Sequence, residues 1–245
     1  MKRSDLLNKA VYLMIVVSSI APVTATVNAQ NISSTTWKSS FDLQDCDFAS
    51  TGANTYFILE PGYRLILENE EGQDSEQLQL VITVTNETKI VNGTETRVVE
   101  ERETEDGELV EISRNYFAVC RPSNDIYYFG EEVDNYEDGE IVSHEGAWLA
   151  GIDNARAGII MPGKVEVGYK HFQEVAPGIA EDKAEIISLN DTLETPAGEF
   201  GNVLRTEETN PLEPEEREFK YYAPEIGLIQ DETLQLVNYT SSNNE

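Results

Sequence analysis

The stretch 134–145 (DNYEDGEIVSHE) spaces its carboxylates as a calcium loop would. Laid on the EF-hand pattern, Asp134 takes the first ligand position, Asp138 the fifth, Gly139 the sixth and Glu145 the twelfth. Asp134, Asp138 and Glu145 are therefore the metal candidates, with calcium as the cation. Tyr136 stands where the loop calls for a carboxylate, and the flanks read as strands rather than helices. The same residues also read as a hairpin turn at 137–139. A second acidic cluster, Asp42, Asp45 and Asp47, follows no strict ligand spacing. No other cofactor is indicated.

Nucleophilic chemistry finds little support. Ser143, His144 and Glu145 are consecutive, so on a strand the Ser and His side chains point to opposite faces and form no triad. His144 and His171 are the two histidines of the chain. No Gly-x-Ser-x-Gly, His-Glu-x-x-His, phosphate-binding glycine loop or zinc-type cysteine pair occurs. A carboxylate pair for glycoside chemistry could lie among the 46 acidic residues, but nothing in the sequence selects one. Aromatic residues run together at Tyr116-Phe117, Tyr127-Tyr128-Phe129 and Tyr221-Tyr222. On a strand, neighbours in such a run face opposite sides. A curved sheet could then hold an apolar or sugar ligand in its concavity, or the rings could simply pair across strands.

The elements that would carry these residues are strands. Alternation of period two dominates between Gly, Pro and Asn turn signals, with little helix after the first segment. The stretch 77–85 (QLQLVITVT) alternates and then turns fully apolar. Asp106-Gly107 is a two-residue hairpin signal, and Asp138-Gly139 a second. Pro211 and Pro214 occupy the place corresponding to Asp106-Gly107, which predicts a longer, stiffer loop there. Residues 158–163 (GIIMPG) read as a core plug or edge cover. Most glutamates fall on strand faces read as solvated. The fold class expected is all-β: a curved antiparallel meander, half-barrel or sandwich, built from two similar halves.

Those halves are 60–118 and 166–223. Glu60, Gly62 and Tyr63 recur as Glu166, Gly168 and Tyr169. Val98, Glu103, Thr104, Glu111, Tyr116 and Ala118 recur as Val203, Glu208, Thr209, Glu216, Tyr221 and Ala223, and Phe117 corresponds to Tyr222. The expected layout is a leader at 1–29, a polar segment at 30–54, one β domain at 55–240 with an unrepeated connector at 119–165, and a loose tail at 241–245.

The leader has the three parts of a secretory signal: Lys2, Arg3 and Lys9, then the apolar run 10–23, then small residues ending at Ala29, after which cleavage is expected. That run is about 14 residues, short of the roughly 20 that span a bilayer, and no later segment is apolar enough to span. The formal charge is −29. Such a charge keeps a protein soluble and monomeric and disfavours nucleic acid or anionic membrane as partners. Cys46 and Cys120 are the two cysteines. An even count in an exported chain points to a disulfide, closing a loop of about 75 residues and contributing on the order of 4 kcal/mol. Glycosylation sequons begin at Asn31, Asn86, Asn92, Asn190 and Asn238.

The segments 98–118, 126–148, 158–162 and 195–229 together resemble a group of exported prokaryotic all-β proteins of unassigned function. The phrase 195–200 (TPAGEF), followed by 220–224 (KYYAP) and Gly227-Leu228, is also similar to the curved antiparallel sheets of lipoprotein-carrier-type envelope proteins. That second resemblance implies an apolar ligand groove. Neither assigns catalytic residues. The functional expectation is a secreted, non-enzymatic binding or carrier protein of the cell envelope or exterior, whose partner is an apolar small molecule or a cell-surface component. The alternatives are a carboxylate-based hydrolase of surface polymer and a structural protein bridged by cations.

Overall fold

The computed structural model describes residues 36–70, 72 and 76–240. The leader, its cleavage position, Asn31 and the tail at 241–245 lie outside the described residues. In chain order the strands are β1 (Phe48–Ala49), β2 (Gly52–Asn54), β3 (Phe57–Leu59), β4 (Arg64–Glu68), β5 (Leu78–Val91), β6 (Thr94–Glu105), β7 (Glu108–Cys120), β8 (Asp125–Glu137) and β9 (Glu140–Ser143). They continue with β10 (Trp148–Leu149), β11 (Arg156–Met161), β12 (Lys170–Phe172), β13 (Glu174–Val175), β14 (Lys183–Thr195), β15 (Gly198–Asn210), β16 (Glu213–Ala223), β17 (Gly227–Asp231) and β18 (Leu234–Thr240). The all-β antiparallel meander expected from the sequence is the observed fold class.

Two meanders, β4 to β8 and β14 to β18, lie side by side in one sheet. They meet where β18 pairs with β4, Leu236 opposite Leu67. At the other side β8 pairs with β11, and β11 with β13. Strand β12 pairs with β14. Because β12 and β13 belong to one short segment, the sheet nearly closes on itself as a barrel. Closure removes the exposed edges that an open sheet of this width would present. Residues 158–163 thus do not plug a core: β11 is a wall strand of the ring. Its Gly158 lies against the kink between β12 and β13, where a Cβ would meet the Gln173 carbonyl oxygen at 2.3 Å.

The hairpin turns follow their local chemistry. Asn92-Gly93, Asp106-Gly107 and Asp138-Gly139 each hold two residues at positive φ (48° and 83°, 50° and 82°, 53° and 79°), the geometry that matches the twist of the flanking strands. The 211–214 connection differs from the expectation of a longer loop. Asn210 pairs with Glu213, so Pro211 and Leu212 alone make the turn. Pro214 then falls in a break of the ladder, where its missing N–H costs no strand hydrogen bond. The Glu60-x-Gly-Tyr63 and Glu166-x-Gly-Tyr169 phrases make the same turn. Tyr63 N–H donates to Glu60 O and Gly62 N–H to Val84 O, while Tyr169 N–H donates to Glu166 O and Gly168 N–H to Ile186 O. Beyond the turns the registers part: Val98 stands opposite Tyr116, whereas Tyr221 stands opposite Arg205 rather than Val203.

The outer wall is sealed by the N-terminal segment. Cys46 and Cys120 are joined in a disulfide, with Cα atoms 5.1 Å apart. Next to it, β1 pairs with the end of β7. Phe48 meets Tyr127 and Phe129 edge to face, each at 5.3 Å, and Phe41 meets Tyr127 at 5.8 Å. One end of the ring is capped by the β2–β3 hairpin. Asn54 Nδ2 donates to the Asn124 and Met161 carbonyls, Glu225 N–H donates to Thr55 O, and Phe57 packs on Phe117 at 5.2 Å.

Candidate functional site: a two-faced lumen

Alternation along the strands builds the interior. On β5 the inward residues are Leu80, Ile82 and Val84; on β6, Val99 and Glu101; on β7, Glu111, Ser113, Asn115 and Phe117. On β16 they are Glu216, Glu218, Lys220 and Tyr222. Each of β6, β7 and β16 turns from apolar or aromatic near the capped end to acidic near the hairpins 105–108 and 210–213. The register aligns the change: Leu65 stands opposite Ile82, Ile82 opposite Glu101, and Glu101 opposite Ser113. The lumen that results has a volume of about 410 Å³. Its capped end is walled by apolar and aromatic groups, and its other end by carboxylates.

Among the residues lining this lumen, ten are Asp or Glu and the one cation is Lys220. The Lys220 ammonium lies 3.4 Å from both Glu208 and Asp231. These neighbours, Asp231 foremost, hold its pKa well above the ordinary value. Glu208 also accepts from Gln173 Nε2 at 3.1 Å and Thr206 Oγ1 at 3.0 Å. Glu208 and Asp231 are therefore partnered.

Glu174 is placed differently. Glu131, Glu174 and Asp182 cluster where β8, β13 and the approach to β14 converge. Glu174 is 6% exposed. Its Oε2 is buried without a hydrogen-bond partner, a state that costs about 1–3 kcal/mol or more for a charged group. The Trp148 side chain packs on Tyr128 at 5.3 Å. Its indole N–H points among these carboxylates and favours their charged forms, yet it completes no hydrogen bond of normal geometry. Tyr128 O–H donates to Asn115 Oδ1 at 2.5 Å.

Burial raises the pKa values of several of these carboxyls. Glu101 is pushed up to about 8, and Glu103, Glu131 and Glu218 to about 7. Glu174 is pushed well above the carboxylate range, by burial first and then by Asp182. Glu103, exposed at its tip, is raised by burial first and then by the charges of Glu111 and Asp231. His171 is moved the opposite way for the same reason. Buried at 1% exposure against Tyr169, it is lowered to about 3 by burial and by the charge of Lys38, and stays neutral.

The residues singled out in the sequence fall mostly outside this lumen. Asp134 is engaged by Arg114 at 2.9 Å and by His144 at 3.0 Å. Asp138 sits at the tip of the β8–β9 hairpin, and Glu145 lies in the following loop, where its carbonyl accepts from Asn135. No group of three or more His, Cys, Asp or Glu able to hold a metal is found among the described residues. Ser143 and His144 do not meet: His144 Nδ1 turns to Val133 O and Asp134. Asp47 pairs with Arg121, and Asp42 caps the short 3-10 turn Leu43–Asp45. Asn86, Asn92, Asn190 and Asn238 are exposed. The aromatic runs split as strand geometry requires, with Phe117, Tyr128 and Tyr222 turned inward while Tyr127 and Phe129 meet the N-terminal segment.

The lumen carboxylates were not singled out by sequence, which places such glutamates on solvated faces. The signal that finds them is parity. In Val99-x-Glu101-x-Glu103 the glutamates continue the inward set begun by a buried valine.

No family model matches the chain, and no curated protein matches its sequence. Among solved structures, a "putative lipoprotein" from Parabacteroides distasonis aligns with 78% of this chain and 100% of its own, at 12% identity and a TM-score of 0.37. A likeness at that level assigns neither family nor function. No helix among the described residues is long and apolar enough to cross a membrane.

Proposed function

We propose that this chain is an exported, non-enzymatic binding or carrier protein whose lumen holds a small molecule with an apolar body. The observation that carries the reading is the cavity of about 410 Å³, walled by apolar and aromatic side chains at its capped end. Its size is that of a small-molecule pocket, and its apolar capped end would hold the body of the ligand. Export is supported by the leader-type sequence and by the Cys46–Cys120 disulfide, a bond that persists in oxidising compartments.

The test is uptake of a neutral apolar dye, Nile red, by the wild type and by Ile82→Trp, which fills the lumen. Saturable fluorescence that is lost in a folded Ile82→Trp supports the reading, with Val142→Trp on the exposed surface as the control. Dye binding that Ile82→Trp leaves unchanged contradicts it.

A further inference from the structure

Resting on that reading, we infer that the lumen is built for an organic cation: an ammonium head held at Glu131, Glu174 and Asp182, with its apolar body laid toward Phe117 and Tyr222.

Charge balance is the first support. The lining carries ten carboxyl groups and one cation, and that cation is already shared between Glu208 and Asp231. The Glu131–Glu174–Asp182 cluster has no cationic neighbour of its own. The second support is independent of charge count: Glu174 is more than nine-tenths buried, lines the cavity, and has an Oε2 that no protein donor meets. A donor from outside the chain would complete it. The third is the lining itself. The inward face of Tyr128, beside these carboxylates, offers the aromatic surface that ammonium groups favour, and the apolar residues begin one layer further in, at Phe117, Tyr222 and Val84. A bare metal ion fits less well, since no group among the described residues has metal-ligand geometry. Anionic amphiphiles are disfavoured from the start, because the acidic end, with Glu213 and Glu216 exposed near the 210–213 hairpin, repels them.

The groups that face this cluster set its pH response. Glu131 is faced by Glu111 of β7, by Asp182, and by Tyr128 and Trp148. Glu174 is faced by Asp182, Glu131 and Trp148. Glu101 is faced by Lys220, Glu103, Glu131 and Asp231. Burial and these carboxylate neighbours favour the protonated forms of Glu131 and Glu174, so at acidic pH the attraction of these two groups for an ammonium is weak. Raising the pH through about 7 ionises Glu131, and affinity for the cation rises with it.

The experiment titrates three probes that share one tail, decylamine, decanol and decanoate, into the intact protein at pH 8 and at pH 5.5 by calorimetry. At pH 8 decylamine binds about tenfold or more tighter than decanol, and decanoate weakest. The preference for the amine shrinks at pH 5.5. Glu131→Gln and Glu174→Gln, each close in shape to the residue replaced, lower decylamine affinity by a larger factor than decanol affinity. Decanol or decanoate binding as tightly as the amine overturns the inference and leaves the lumen reading standing. Amine affinity unmoved by both glutamine variants also overturns it. Binding of none of the three probes overturns both.

Discussion

The Lys220 ammonium lies 3.4 Å from the Asp231 carboxylate, inside the ring, on neighbouring strands and directly opposite in register. A lysine pointing into a barrel is costly to desolvate, and this one is retained against two carboxylates, Asp231 and Glu208. Breaking a buried pair by removing one partner leaves the other charge unmatched. Lys220→Met is therefore expected to destabilise the protein by about 3 kcal/mol, measured by urea unfolding. A loss of less than about 1 kcal/mol argues against the pairing.

The raised carboxyls and His171 set opposite pH dependences of stability. The folded state holds Glu101, Glu103, Glu131 and Glu218 at pKa values of about 7 to 8, above their unfolded values. Their contribution is complete below the unfolded carboxyl range near 4.5 and is lost as the pH rises through 7 to 8. His171 acts in reverse. Its folded pKa is depressed to about 3, so its contribution is present above about 6.5 and is lost as the pH falls. Four carboxyls outweigh one histidine, so the thermal midpoint should peak at about pH 4.5, where the unfolded carboxyls begin to ionise, and fall on both sides. His171→Phe should flatten the acid limb and leave the alkaline limb in place. A midpoint that climbs steadily to pH 8 contradicts the raised carboxyls.

The Cys46–Cys120 bond closes a loop with a sequence separation of 74 residues. Its removal by the double change Cys46→Ser and Cys120→Ser should cost about 4 kcal/mol on the chain-entropy account. It should also loosen the cover formed by Phe41 and Phe48 over Tyr127 and Phe129, visible as faster hydrogen exchange in β1 and the end of β7. A reduced protein with wild-type stability and exchange would show that the segment is held by packing alone.

Ring closure depends on Gly158. A Cβ there would sit 2.3 Å from the Gln173 carbonyl oxygen and 2.7 Å from that of Phe172, both backbone atoms that cannot swing aside. Gly158→Ala should therefore separate β11 from the β12–β13 segment, with protease cutting near 170–182 as the readout. Gly201→Ala, which meets nothing within 4 Å, is the control and should resist cleavage as the wild type does.

Much of this architecture is legible in the residues. Asp106-Gly107 dictates its own hairpin, and the Glu-x-Gly-Tyr phrase writes the same turn at 60–63 and 166–169. The alternation in β5 marks Leu80, Ile82 and Val84 as one face. Ring closure is not legible, because it rests on two short strands, β12 and β13, whose pairing depends on a kink at Gln173 and a backbone contact at Gly158 rather than on any periodic pattern. The lumen carboxylates hide for a related reason. In a flat sheet a glutamate on the face of Val99 would be an error, whereas in a closed ring wide enough to admit a ligand that face becomes the wall of a site. The 134–145 spacing shows the converse: its aspartates match a calcium loop by count, but Asp134 turns to Arg114 and His144 while Asp138 sits at a hairpin tip.

The central claim is that the lumen is where this protein binds its ligand, tail toward the capped end and head among the carboxylates. A crystal structure of the protein grown with 10-bromodecylamine tests it directly, because the bromine marks the end of the tail by anomalous scattering. The account predicts a bromine peak inside the ring beside Phe117 and Tyr222, with the amine nitrogen at Glu131 and Glu174. A bromine bound on the outer wall, or a lumen that stays filled only by water at saturating amine, would contradict it.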